Sequence, residues 1–283
     1  MKLELYRTLW GTKGSYAAIA KESREAGFDG IETRVLDNLE LAQELKSSLK
    51  KNKLKLIAEI STAGDYSSPD RMASVEDHVK SLERLLEISL PLNPEFINCM
   101  GGIDSWTDVQ NFEFFERCLE VERRYKITIC HETHRGRSLF NPWVTRKIVE
   151  TFPEIKLTCD FSHWCVVCER LLDREDDALE LIAGHAHHIH ARVGYAEGPQ
   201  VPHPAAPEYR KELEAYQEWW QLIWESQTAR GYSRTTLNPE FGADGYLHKL
   251  PFTDTPVANQ WDIQRWMAAK EREHFSIFTM NFQ

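Results

Sequence analysis

No stretch of this 283-residue sequence is apolar enough to cross a membrane as a helix. The longest run without Asp, Glu, Lys or Arg is Leu181–Ala191, and four of its residues are histidine; a membrane span needs roughly 20 apolar residues. Basic charge is scarce as well. Lys and Arg number 34 against 44 Asp and Glu, a net charge of −10. Phosphate backbones are bound through Lys and Arg, so we expect neither a nucleic-acid partner nor a membrane. A glycine-rich phosphate loop is missing too, because Gly101-Gly102 alone does not make one. That weakens the case for a doubly wound open sheet. Cys165-Val-Val-Cys168 has no second CxxC to complete a structural zinc site. The six cysteines, several within apolar strand-like runs, therefore read as buried reduced thiols. Met1–Gly11 carries Lys2, Glu4 and Arg7 and lacks the apolar core of a signal peptide, so the expectation is a cytoplasmic protein.

What is present is the composition of a folded globule, 42% hydrophobic and 28% charged. Short β-rich runs alternate with longer amphipathic ones. The strand candidates are Leu3–Trp10, Gly30–Val35, Leu54–Ser61, Phe96–Met100, Ile127–Thr133, Lys156–Phe161, His187–Val193 and Thr235–Phe241. Helical patterns follow at Tyr16–Ala26, Leu39–Lys50, Val75–Ile88, Phe112–Arg124, Pro142–Thr151, Arg170–Ile182, Tyr209–Ala229 and Ile263–Arg272. Asn141-Pro142 reads as a helix start and Gly27 as a left-handed stop. Eight such pairs give about 35 residues each, the scale of a (β/α)8 barrel. The expected architecture is α/β: one TIM barrel spanning 1–283. Two loops after strands, 194–207 and 242–257, are long and proline-bearing. They fall on the carboxyl face, where barrel enzymes keep their chemistry and where long loops often serve as lids.

Ionisable residues recur near the ends of four successive strands: Cys130-His131-Glu132-Thr133-His134, Cys159-Asp160-Phe161-Ser162-His163, His188-Ile189-His190-Ala191-Arg192 and Asn238-Pro239-Glu240-Phe241. Glu132 to Asp160 is 28 residues and Asp160 to His190 is 30, each close to one β–α unit. The step to Glu240 is 50, and the excess matches the loop at 194–207. Three carboxylates brought to one mouth would repel unless protonated or bridged by a cation. With one imidazole they make an oxygen-rich site for one divalent metal ion, Mn²⁺ first, with Mg²⁺, Co²⁺, Zn²⁺ or Fe²⁺ as alternatives. The bland reading of any one of these residues is a satisfied polar cap on a strand end; four in phase favour the metal.

These residues, with Gly27-Phe28-Asp29-Gly30-Ile31-Glu32 on strand two, resemble the xylose-isomerase-like TIM barrels: sugar isomerases and epimerases, inosose dehydratases and the apurinic endonuclease branch. The resemblance runs along the whole chain in strand order. It implies Glu132, Asp160, His190 and Glu240 as metal ligands, His163 as a substrate contact, and Glu132 and Glu240 as acid and base on opposite faces of the substrate. The chain departs from many relatives in lacking an aspartate three residues after His190, where it has Val193. Among lesser candidates, Arg192 shares the His190 side of its strand and could hold a carboxylate, a phosphate or an enolate oxygen. Glu32 could meet a sugar hydroxyl, His203 rides on the first long loop, and Trp10 could stack on a sugar face.

The endonuclease branch needs further histidines on strands three and four. Leu56-Ile57-Ala58-Glu59-Ile60 and Phe96-Ile97-Asn98-Cys99-Met100 have none. The expectation is a metal-dependent isomerase or epimerase acting on a small carbohydrate, a sugar or keto-sugar, through an enediolate. Its rivals are a lyase or dehydratase working through the same enolate, a hydrolase, and a non-catalytic sugar-binding barrel. A homo-oligomer is left open.

Overall fold

The eight apolar runs pair in chain order. In the computed structural model, which describes residues 1–65, 68–173, 175–243 and 245–281, β1 (Lys2–Thr8), β2 (Gly30–Arg34), β3 (Lys55–Ser61), β4 (Ile97–Met100), β5 (Ile129–Glu132), β6 (Lys156–Cys159), β7 (Ala186–His190) and β8 (Arg234–Asn238) close into one parallel barrel. The helices between and after them are α1 (Tyr16–Glu25), α2 (Leu39–Asn52), α3 (Val75–Ser89), α4 (Asp108–Tyr125), α5 (Pro142–Thr151), α6 (Ser162–Cys168), α7 (Asp176–Ala183), α8 (Arg210–Ala229) and α9 (Gln260–Asn281). The chain is thus the (β/α)8 TIM barrel expected from the spacing. Residues 282 and 283 of the expected 1–283 span, and 244 of the second loop, lie outside the described residues. No helix among the described residues is long and apolar enough to cross a membrane.

Caps fix the helix starts. Ser74 with Asp77, and Thr107 with Gln110, form reciprocal capping boxes. Thr107 moves the start of α4 four residues ahead of the expected Phe112. Asn141 accepts from the Val144 amide with Pro142 in the first turn. The helix expected over Arg170–Ile182 is shorter, α7 over Asp176–Ala183, and a short helix that the pattern did not mark, α6 over Ser162–Cys168, precedes it. Glu169 takes a left-handed conformation, its amide bonding back to the Cys165 carbonyl, and ends α6. The CxxC cysteines lie on α6, and they and the other four cysteines are all free thiols. β8 stops at Asn238 rather than Phe241, because Pro239 has no N–H for the ladder.

Burial divides the core in two. Tyr6, Ile57, Phe96 and Cys130 form a small cluster of their own, and strand alternation turns them into the barrel. Gly30 makes this layer fit, since a Cβ there would sit 2.3 Å from the Tyr6 ring. The larger cluster, including Trp164, Trp220 and Trp224, fills the space between sheet and helices. Above the Tyr6 layer the interior turns polar. Glu32, Asn98, His188, His190 and Asn238 are all fully buried. A polar layer at the carboxyl end must satisfy itself internally, and how it does so defines the site.

The two long loops are tied to each other over this layer. Gln200 Nε2 donates to the Gly242 carbonyl (3.1 Å), and the Gly242 amide donates to Gln200 Oε1 (2.9 Å). Gly242 also lets the Trp10 ring pass close by, where a Cβ would stand 2.0 Å from the indole. Gln260 at the start of α9 donates to the carbonyls of Trp10 and Phe241 and holds both strand-end segments.

Candidate functional site

Glu132 is the last residue of β5, Asp160 the first after β6, His190 the last of β7, and Glu240 the second after β8. Barrel closure converts that sequence phase into proximity. One ligand atom from each of the four lies within 4.8 Å of the others, and all four residues are buried. His190 shows how the group is oriented. Its Nε2 donates to Glu32 Oε1 (2.9 Å), leaving Nδ1 turned toward the carboxylates. Glu240 Oε2 approaches that nitrogen at 3.3 Å and Glu132 Oε1 at 3.7 Å, but it has no aligned hydrogen-bond partner. A buried imidazole nitrogen facing three carboxylates, with its other nitrogen held by a fourth, is the arrangement that presents a lone pair to a cation. The donor set, three oxygens and one nitrogen, also matches a hard to borderline divalent ion. The residues therefore fit a metal.

Each ligand has its own support. Asn98 Nδ2 donates to Glu132 Oε2 (2.8 Å). The Ser162 amide and hydroxyl, at the start of α6, donate to Asp160 Oδ1 at 2.9 and 2.5 Å. Glu32 receives His188 Nε2 (3.0 Å) and Asn238 Nδ2 (2.7 Å) besides His190. Arg192 is 1% exposed and joins Asp160 through Nη2, Ser162 Oγ through Nε (3.0 Å) and Glu240 through Nη1 (3.2 Å). The same Nη2 donates to His163 Nε2 (2.6 Å).

The charges follow from these contacts. Burial pushes Glu32 upward, but His190 and His188 outweigh it and hold the carboxyl below its ordinary range. Burial opposes protonation of His190, yet Glu240, Glu32 and Glu132 together raise it well above the usual value. Burial lifts Asp160 to about 6, with Arg192 pulling the other way. His163 is held well below its ordinary value by burial, with His134 and Arg192 adding to it. It is neutral near pH 7 and is no proton donor as an imidazolium.

A cavity of about 150 Å³ opens above the group, lined by Trp10, Thr33, Arg34, Glu59, His134 and Tyr246 among others. Of the four grouped residues, Glu132 and Glu240 line it. Arg192 and Trp10 line it too. Glu32 does not; it stands behind His190, in the polar layer. His203 does not either; its Nδ1 accepts from the Ala205 amide and its ring meets Trp266 of α9. His163 is fully buried, with the His134 ring 3.8 Å away between centroids, and it is His134 that faces the cavity. His134, Glu59, Arg34 and Tyr246 were not singled out from the sequence. Glu59 carried the same signal as the other acidic strand ends, but on β3, outside the run of four consecutive strands. Its carboxyl is raised by burial to about 8, against the pull of Arg34 and with help from Glu240, Glu32 and Glu132.

The family model described as a xylose isomerase-like TIM barrel matches residues 20–204. A comparison with curated proteins returned no match. Among solved structures, the probable 3-DHS dehydratase of Bacillus anthracis, involved in petrobactin synthesis, aligns with a TM-score of 0.61 at 17% identity, over 95% of this chain and 98% of that one. The 3-keto-D-glucoside 4-epimerase of E. coli aligns with a TM-score of 0.62 at 14% identity, over 96% and 99%. A xylose isomerase-like TIM barrel protein from Mycobacterium smegmatis in complex with magnesium aligns with a TM-score of 0.61 at 14% identity, over 98% and 97%. Such identities carry the likeness of fold, whereas the family model covers well over half the sequence: the chain belongs to the xylose isomerase-like TIM barrel family.

Proposed function

We propose that the protein is a divalent-metal-dependent isomerase or epimerase of a small sugar or keto-sugar, with Glu132, Asp160, His190 and Glu240 as ligands and Mn²⁺ as the first choice of metal. The observation that carries this reading is the buried Nδ1 of His190, aimed with three carboxylates at one point beneath the cavity. A divalent cation held there supplies Lewis acidity, lowering the cost of the negative charge that develops beside a substrate carbonyl.

The chain's own groups divide the remaining work. Asp160 and His190 lie below the cavity, locked by Ser162 and Glu32, and serve only to hold. Glu132 and Glu240 face the cavity, so one carboxylate takes the carbon-bound proton and the other returns one to the opposite face. Neutral His134 offers a hydrogen bond to a substrate hydroxyl, and Glu59 lines the same cavity. Trp10, braced against Gly242, provides an apolar wall for the sugar ring. The acidic balance of the chain speaks against DNA as substrate.

The test uses chelator-treated protein reloaded with Mn²⁺ and a panel of ketoses and keto-sugars in D₂O. Metal-dependent isomerised product with deuterium at one carbon is the expected result. A dehydrated or cleaved product would move the assignment to a lyase. Full metal occupancy after removing both Glu240 and His190 would overturn the ligand set.

A further inference from the structure

The metal site already contains a cation. Arg192 is as buried as the ligands themselves, and its guanidinium lies among them: Nη2 on Asp160, Nη1 3.2 Å from Glu240, Nε on Ser162. A guanidinium stays charged at every pH the fold survives. With Glu132, Asp160 and Glu240 ionised and His190 neutral, as metal binding requires, the ligands carry −3, Arg192 brings them to −2, and a divalent ion brings the sum to zero. Asp160 Oδ1 is taken by the Ser162 amide and hydroxyl, and Oδ2 by Arg192, so both oxygens are oriented by protein donors without any metal.

We propose that Arg192 is a resident counter-cation of this site, which holds Asp160 and Glu240 in place before metal arrives and sets how tightly a divalent ion binds. The inference rests on the metal reading above. It replaces the substrate-holding role that the sequence suggested for Arg192, since its nitrogens are engaged by Asp160, Glu240, Ser162 and His163. Arg192 is a positioning residue here. Removing its charge takes a positive neighbour away from the incoming ion, so metal should bind tighter, the opposite of what loss of an ordinary structural contact does.

The experiment is calorimetric titration of Mn²⁺ into chelator-treated wild type, Arg192→Met, Arg192→Gln and Arg192→Lys, with thermal melting of each in excess chelator and in excess Mn²⁺. The Gln variant places an amide nitrogen where Nε stood, so it can still donate to Ser162, which guards against a Met variant that does not fold. The neutral variants should bind Mn²⁺ at least about tenfold tighter than wild type. They should also melt lower in chelator and gain more on adding Mn²⁺. The Lys variant, which keeps the charge beside the incoming ion, should stay within about threefold of wild type. A folded neutral variant with unchanged or weaker Mn²⁺ affinity overturns the proposal, as does a Lys variant that behaves like Gln. Failure of the wild type to bind Mn²⁺ overturns the metal reading itself, and is told apart from the first result by the wild-type titration.

Discussion

Glu32→Gln is a near-isosteric change at a residue that does not line the cavity above the site, yet it should cost metal affinity. Glu32 accepts three hydrogen bonds: Oε1 from His190 Nε2 (2.9 Å), Oε2 from His188 Nε2 (3.0 Å) and Asn238 Nδ2 (2.7 Å). A glutamine keeps one oxygen and puts an NH₂ in place of the other. Placing the oxygen on the two-donor side saves two bonds and turns the NH₂ toward His190. The imidazole must then accept at Nε2 and carry its proton on Nδ1, the atom the metal needs. Outer partners of metal-bound histidines are typically worth about 10–100-fold in affinity, which is about 1.4–2.7 kcal/mol. The opposite rotamer instead leaves the Asn238 and His188 donors facing an NH₂, at about 1–3 kcal/mol of stability for each buried donor left without an acceptor. Titration calorimetry with Mn²⁺ reads the first effect and thermal melting the second. Lower melting with Mn²⁺ affinity within twofold of wild type would refute the reasoning, and Glu32 would be a core partner with no hold on the ligand.

Three further outcomes are expected. His134→Asn should retain Mn²⁺ affinity and lose about one to two powers of ten in turnover, the worth of one hydrogen bond in the transition state, about 1–3 kcal/mol; unchanged kcat would place His134 outside the reaction. Gly242→Ala, whose new Cβ would lie 2.0 Å from the Trp10 ring, should displace that wall and raise KM with Mn²⁺ binding intact; a wild-type KM would show that Trp10 does not touch substrate. The pH dependence has a defined sign. His190 is raised by its carboxylate neighbours once burial is overcome, so its charged form stabilises the metal-free protein below the ordinary value of about 6.5, and that contribution is lost only as pH rises through the raised value. Metal must displace that proton from Nδ1, so Mn²⁺ affinity should rise up to about tenfold per pH unit below the raised value, with buffer-dependent heat from proton release. Affinity flat from pH 6 to 8 with no released proton would contradict it.

Strand count, strand order and the grouping of four ionisable residues at strand ends could be read from the sequence because they obey local rules. Periodicity marks strands and helices residue by residue, and a β–α unit of nearly constant length puts Glu132, Asp160, His190 and Glu240 in phase. Boundaries that depend on one residue's backbone were harder to see: Glu169 in a left-handed conformation ends α6, a helix the periodicity did not mark, and Pro239 ends β8 early. The partners of the ligands lay beyond any local rule. Glu32 and His190 are 158 residues apart, and only closure of β1 onto β8 brings β2 across the barrel to β7. Closure also set Arg192 among the carboxylates at the edge of the cavity, put His163 behind His134, and carried His203 out to Trp266. A period of two tells which side of a strand a residue takes. How deep it sits in the barrel and which charge it meets there depend on the stagger of eight strands, which no single segment encodes.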